Sequence, residues 1–197
     1  SVYGATHTVP FSEDQPTDTP VSLYAATKKA NELMAYSYAH LFGLAATGLR
    51  FFTVYGPWGR PDMAPMLFAS AILAGQPIRV FNHGDMRRDF TYVDDIVEGV
   101  ARVLAIAPPP DIATGARHAI YNIGNNTSVA LSEFIATLES LLGRKAVRID
   151  EPMQPGDVKD TFASIDRLAA VTGFAPRTPL AEGLAHFVAW YRDYHRL

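Results

Sequence analysis

A helical pattern of 20 residues, Leu23 to Phe42, runs straight into a continuous apolar stretch, Ala45 to Phe52, and this pairing restricts the fold more than any other feature of the chain. A strand that is apolar on both faces is buried on both faces, which requires a sheet with helices packed over it. Ser22 stands where an N-cap is needed and Gly43 where the helix must stop. Ala26, Ala30, Leu33, Ser37 and Leu41 recur at three- and four-residue spacing, so this small-to-apolar face is expected to pack.

The alternation continues down the chain. A loop is expected from Thr53 through VYGPWGRPDMAP, then a helix from about Pro65 to Ala74 closed by Gly75. Short strands are expected at 78–81 and 89–93 around the polar turn NHGDMRR, with Asp94 capping a helix to Ile106. A strand at 119–123, a helix at 131–142, a strand at 146–149, a short helix capped by Ser164 and a last helix opened by Thr178 and Pro179 complete the order. Alternating elements of these lengths specify an α/β protein with a partly parallel sheet. Only the strands near Ala45 and Ala119 have the apolar character of a sheet interior, and no GxGxxG loop joins a strand to a helix anywhere. The chain also starts abruptly in SVYGATHTVPF, and Ser1 is read as a cut through a larger fold.

Composition removes several function classes. Seventeen Lys and Arg against 20 Asp and Glu give a net charge of -3, too little basic field for nucleic acid or an anionic membrane. No apolar run reaches the roughly 20 residues that span a bilayer, and no signal peptide is visible, so a cytoplasmic protein is expected. Without cysteine there is no disulfide or thiolate site, and none of the six His forms an HxxxH pair, so no metal site is expected.

Tyr24 and Lys28 stand one helical turn apart on one face. An ammonium beside a phenol stabilises the phenolate by its opposite charge, which makes such a pair a usable general base.

The surroundings of that pair, SVYG at 1–4, Ser22 before YAATK, RFFTVYGP at 50–57, then VFNHGDMRRDFTYVDD, YNIGN and MQPGDV in order, resemble the extended short-chain dehydrogenase/reductase family of NAD-dependent epimerases and dehydratases. Within it, Thr53 and GPWGRPDMA are most similar to UDP-glucuronate 4-epimerases. The resemblance implies the C-terminal part of a Rossmann-type doubly wound parallel sheet plus a smaller α/β substrate-binding domain. Residues 1–60 would carry the end of the NAD-binding domain, and 61–197 mainly the nucleotide-sugar domain, with strand 119–123 returning to the Rossmann sheet. It further implies NAD as cofactor, held by Tyr24, Lys28 and Phe51, with Tyr24 and Lys28 catalytic.

A UDP-sugar would be held by Thr53 and Arg60 at the uronate carboxylate, by Val80 and Phe81 over the uracil, by Arg88 at the diphosphate and by Asp157 at a ribose hydroxyl. Gln154 stands where many relatives have Arg. The family's catalytic Ser or Thr would lie two residues before Ser1, so this stretch alone is expected to be inactive. A homodimer through the 23–42 helix is implied, with Met34, Ala35 and Tyr38 outward. A dehydratase or decarboxylase of the same fold, or a non-catalytic binding or dimerisation module, are the alternatives. Trp190, Tyr191 and Tyr194 on the last helix are expected to pack rather than bind.

Overall fold

The computed structural model describes residues 1–6, 8–154 and 158–197. Helix α1 runs Leu23–Phe42, with the Ser22 hydroxyl accepting from the Ala25 N–H at 3.1 Å and Gly43 left-handed at its end. Strand β1 follows at Ala46–Phe51 and is paired in parallel with β6, His118–Ile123, in a register that sets Gly48 beside Ile120 and Arg50 beside Asn122. The two apolar strands are therefore parallel neighbours in a partly parallel sheet, although β1 is half-buried and not buried on both faces.

The face of α1 that packs differs from the expected one. Ala25 and Ala39 are its buried residues, whereas Ala30, Leu33, Ser37 and Leu41 are exposed. The face toward β1 and β6 is partly polar, and its polar groups are satisfied. Lys29 donates to the Thr17 hydroxyl at 2.5 Å, Glu32 takes both ends of Arg50, and Tyr36 donates to Thr114. Hydropathy periodicity favoured the outer stripe because it cannot see those partners.

Thr53 opens a strand rather than a loop. Thr53–Tyr55, β2, pairs in parallel with Phe90–Tyr92, β5. Helix α2, Ala64–Ala74, leads to β3, Pro77–Phe81, which pairs in parallel with β8, Val147–Glu151. Three two-residue strands that carry no periodic signal form one small sheet: β4, Arg87–Arg88, lies between β7, Val129–Ala130, and β9, Asp160–Thr161. Helix α3, Val93–Leu104, takes Tyr92 as its N-cap, so Asp94 sits within the first turn and not at the cap. Helix α4 spans Leu131–Leu142, and α5, Asp166–Thr172, starts after Ile165, not Ser164, although the Ser164 hydroxyl still accepts from the Asp166 N–H. The last helix, α6, Leu180–His195, has Pro179 rather than Thr178 at its cap.

Three apolar clusters result. The largest joins α2, α4 and α6 to β2, β3 and β5 through Ile72, Phe90, Phe134 and Phe187, with Phe90 and Phe134 stacked at 4.4 Å. A second closes α3 and α5 over β6 through Ile96, Ile123, Leu168 and Phe174. The third packs Val2, Tyr3 and Phe11 beside Phe52. Between them Asp89 is fully buried and accepts from Thr91 Oγ1 at 2.9 Å and the N–H groups of Asn125, Asn126 and Ala163 at 2.6, 3.1 and 3.0 Å. Burial still pushes its carboxyl above the usual range, against those four donors.

Candidate active site

The ends of α1, β1, β2 and β4 surround a cleft of about 680 Å³, a size that suits a nucleotide-sized ligand. Ser22 fixes the start of α1, which places Tyr24 in its first turn and Lys28 one turn on. The Lys28 ammonium is 5.2 Å from the centre of the Tyr24 ring. Both line the cleft, and the Tyr24 ring is 61% exposed, open to a ligand.

Of the other expected residues, Phe51, Thr53 and Arg88 also line the cleft. Parallel pairing with β5 and the Thr53 N–H bond to the Asp89 carbonyl at 3.1 Å hold Thr53 in place. Arg88 is set by β4, whose backbone is paired on both sides, and its guanidinium donates to the carbonyls of Arg87 and Lys159. Arg60 stands at the rim. It pairs with Asp62 at 3.3 Å and reaches the sulfur of Met63 at 3.3 Å, and Met63 lines the cleft. Val80 is buried in the large core, and the Arg79 guanidinium lies over the Phe81 ring, so neither side chain lines the cleft. Gln154 is exposed and away from the lining. Asp157 lies outside the described residues.

Four lining residues with titratable side chains escaped the sequence reading: Tyr3, Glu32, Arg50 and His118. Glu32 follows Lys28 by one turn on the same face, a spacing that could have drawn notice. Arg50 binds Glu32 at two points and donates to the Tyr3 hydroxyl at 3.0 Å, and Tyr3 in turn donates to Asn122 Oδ1 at 2.5 Å. Burial opposes the charge on Arg50, but its bonds to Glu32 and Tyr3 outweigh that and hold it more firmly cationic. Burial raises the Tyr3 phenol, only partly offset by Arg50. His118 Nε2 is buried without a hydrogen-bond partner among the described residues, and burial pulls the imidazole below its ordinary value.

The arrangement supplies a phenol beside an ammonium, a hydroxyl, and guanidinium groups on the wall and rim. That set can move a proton at a sugar hydroxyl and hold an anionic ligand. Among the described residues no cluster of His, Asp or Glu could hold a metal ion, and no helix is long and apolar enough to cross a membrane.

The family model described as NAD dependent epimerase/dehydratase family matches residues 1–124. A probable UDP-glucuronate 4-epimerase of Rhizobium meliloti is 49% identical over the whole chain, which spans 61% of that relative. The UDP-glucuronic acid 4-epimerase of Bacillus cereus, solved with UDP-glucuronic acid and NAD, is 30% identical with a TM-score of 0.87, covering 98% of this chain and 59% of that one. DesIV, a dTDP-glucose 4,6-dehydratase of Streptomyces venezuelae solved with NAD, has the same TM-score at 28% identity, covering 99% and 58%.

Proposed function

The chain belongs to the NAD dependent epimerase/dehydratase family, and from that premise we propose that it carries the proton-transfer and sugar-binding part of a UDP-glucuronate 4-epimerase. Its α/β fold with parallel sheets is that of the Rossmann-type members. The observation that carries the reading is that Tyr24, Lys28, Thr53 and Arg88 meet in one cleft, with Arg60 at its rim. In domain terms, residues 1–60 with β6 finish the cofactor-binding sheet and the remainder mainly holds the sugar nucleotide.

NAD is the cofactor of the family, and the cleft suits its nicotinamide riboside end: a phenol, an ammonium and the half-exposed Phe51 all line it. No GxGxxG loop occurs in these 197 residues to take the pyrophosphate, so this stretch by itself is expected to turn over little substrate. When bound, NAD supplies the hydride acceptor and donor at the sugar C4. Tyr24 Oη accepts the proton of the 4-hydroxyl and later returns it. Lys28 stabilises the phenolate and binds a ribose hydroxyl. Thr53 and Arg60 hold the carboxylate, Arg88 the diphosphate, and Asp157 a ribose hydroxyl. Val80 lies in the core and Phe81 beneath the Arg79 guanidinium, both off the cleft lining, so neither is assigned to the uracil, and Gln154 makes no phosphate contact equal to that of an arginine.

The test is incubation of the full-length protein carrying this sequence with UDP-glucuronate and NAD, with products identified by NMR. UDP-galacturonate should form, and Tyr24→Phe should slow its formation by at least about 100-fold, the scale of general-base loss. The likeness to DesIV favours dehydration as the second reading; release of water in place of epimer would establish it. Carbon dioxide release would mark a decarboxylase, and binding without conversion a non-catalytic module.

A further inference from the structure

Arg60 does not itself line the cleft but reaches Met63, which does, and the segment that carries it is rooted away from the cleft lining. Gly56, at φ 144, roots the segment against Val93, where an added Cβ would come within 2.6 Å of Cγ1. Two residues on, Trp58 holds a left-handed backbone, φ 62, that a bulky side chain adopts only under compulsion. Its indole, although 74% exposed, rests on two aromatic rings of α6. The ring lies 5.4 Å from Trp190 and 5.4 Å edge-on to Tyr194, while Trp190 and Tyr194 stack on each other at 5.4 Å along α6. The seat is firm, because Phe187 and Tyr191 on the same helix are core residues. It carries a further penalty, a buried Trp190 N–H with no hydrogen-bond partner among the described residues. Backbone strain of this kind persists where the surrounding structure fixes it, and it gathers at functional sites.

Resting on the proposed reading of Arg60, we propose that Trp58 is a positioning residue for charge selection: its seat on Trp190 and Tyr194 fixes the 56–60 backbone so that Arg60 can exchange Asp62 for a sugar carboxylate. Asp62 is the resting partner at 3.3 Å, with the two side chains 73% and 70% exposed, so the exchange is with an ion pair already screened by water. Gly59 stands between the indole and Arg60, where an added Cβ would come within 3.3 Å of the Gly56 carbonyl oxygen. A neutral sugar gives Arg60 nothing to exchange for, so the seat matters only to the charged substrate. The Trp–Trp–Tyr contact thus lies off the cleft lining yet acts on which sugar is accepted.

The experiment measures binding of UDP-glucuronate and UDP-glucose to the full-length protein, its Trp58→Ala, Trp58→Phe and Asp62→Asn variants, by calorimetry with NAD present. Trp58→Ala should weaken UDP-glucuronate at least tenfold and UDP-glucose less than twofold, so the neutral ligand doubles as the folding control. Trp58→Phe should restore most of the loss, and Asp62→Asn should tighten UDP-glucuronate alone. Parallel weakening of both ligands, or unchanged preference in Trp58→Ala, overturns the positioning role while leaving the epimerase reading intact. If the unaltered protein shows no preference for the charged sugar, the reading of Arg60 fails first and the inference with it.

Discussion

Arg50 and Glu32 join β1 to α1 through two parallel bonds, Nε to Oε1 at 2.7 Å and Nη2 to Oε2 at 2.9 Å, with 10% and 12% of the side chains exposed. Glu32 is one turn beyond Lys28 on the same helix face, so an unpaired carboxylate there would attract the Lys28 ammonium away from Tyr24. Arg50 removes that competition and passes the connection to Tyr3 and Asn122 on β6. The pair therefore steadies the catalytic helix and leaves Lys28 to its task.

Removal of one partner should be far worse than removal of both. Arg50→Met leaves a nearly buried carboxylate uncompensated and should destabilise the protein by about 3–5 kcal/mol, whereas Arg50→Met with Glu32→Leu should recover most of the loss. Urea unfolding of the two single variants and the double variant gives the coupling; additive effects would show that the pair is only a surface contact.

Asp89 should behave as the pin of the small sheet. Four donors converge on its oxygens from β5, the segment after β6 and the segment after β9. Asparagine has one acceptor oxygen and turns an N–H₂ toward N–H groups, so Asp89→Asn should cost about 2–4 kcal/mol, on the scale of buried donors left unpaired. Because the Thr53 N–H binds the Asp89 carbonyl and Arg88 precedes it, substrate affinity should fall as well. Chemical denaturation and UDP binding read the two effects separately.

The elements with strong local signals were legible in the sequence. Ser22 and Gly43 bracket α1 because a hydroxyl cap and a left-handed glycine are local requirements, and β1 and β6 show as apolar runs because both are sheet strands. The strands β4, β7 and β9 were not legible, since two residues cannot show alternation and only pairing with distant segments makes them extended. The same holds for the site. Tyr24 and Lys28 are a local spacing, but the Arg50 link to Tyr3 spans 47 residues and the Tyr3 link to Asn122 spans 119. Val80, expected near the ligand, alternates inward with Ile78 along β3 and so belongs to the core.

His118 should give the stability of the protein a pH dependence. Burial pulls its imidazole below the ordinary value, with Glu32 pulling weakly the other way, while the unfolded chain protonates near pH 6.5. As the pH falls, the unfolded state binds the proton first. Stability from this group is therefore complete above about pH 6.5 and is lost as the pH drops through the window down to the folded value. His118→Phe keeps an aromatic ring edge-on to Tyr36, 5.6 Å away in the native pair, and removes the titration. Its thermal midpoint should rise less steeply than that of the unaltered protein between about pH 5 and 7; parallel curves would assign the slope to other groups.

The outer face of α1 should be a subunit interface. Leu33, Met34, Tyr38 and Leu41 are 58%, 55%, 59% and 70% exposed on one helix, an apolar surface larger than isolated exposed residues would make. The inner face is already committed to β1 and β6 through Ala25, Glu32 and Ala39, and among the described residues the outer stripe stays uncovered. An isologous contact would set the helix against its own copy, and packing with the neighbouring helices of both protomers makes a bundle. Light scattering after gel filtration should therefore give twice the chain mass at micromolar concentration. Met34→Glu with Tyr38→Glu places four like charges in that contact and should yield monomer with unchanged far-UV circular dichroism. A monomeric unaltered protein, or a dimer that survives both charges, would move the interface elsewhere.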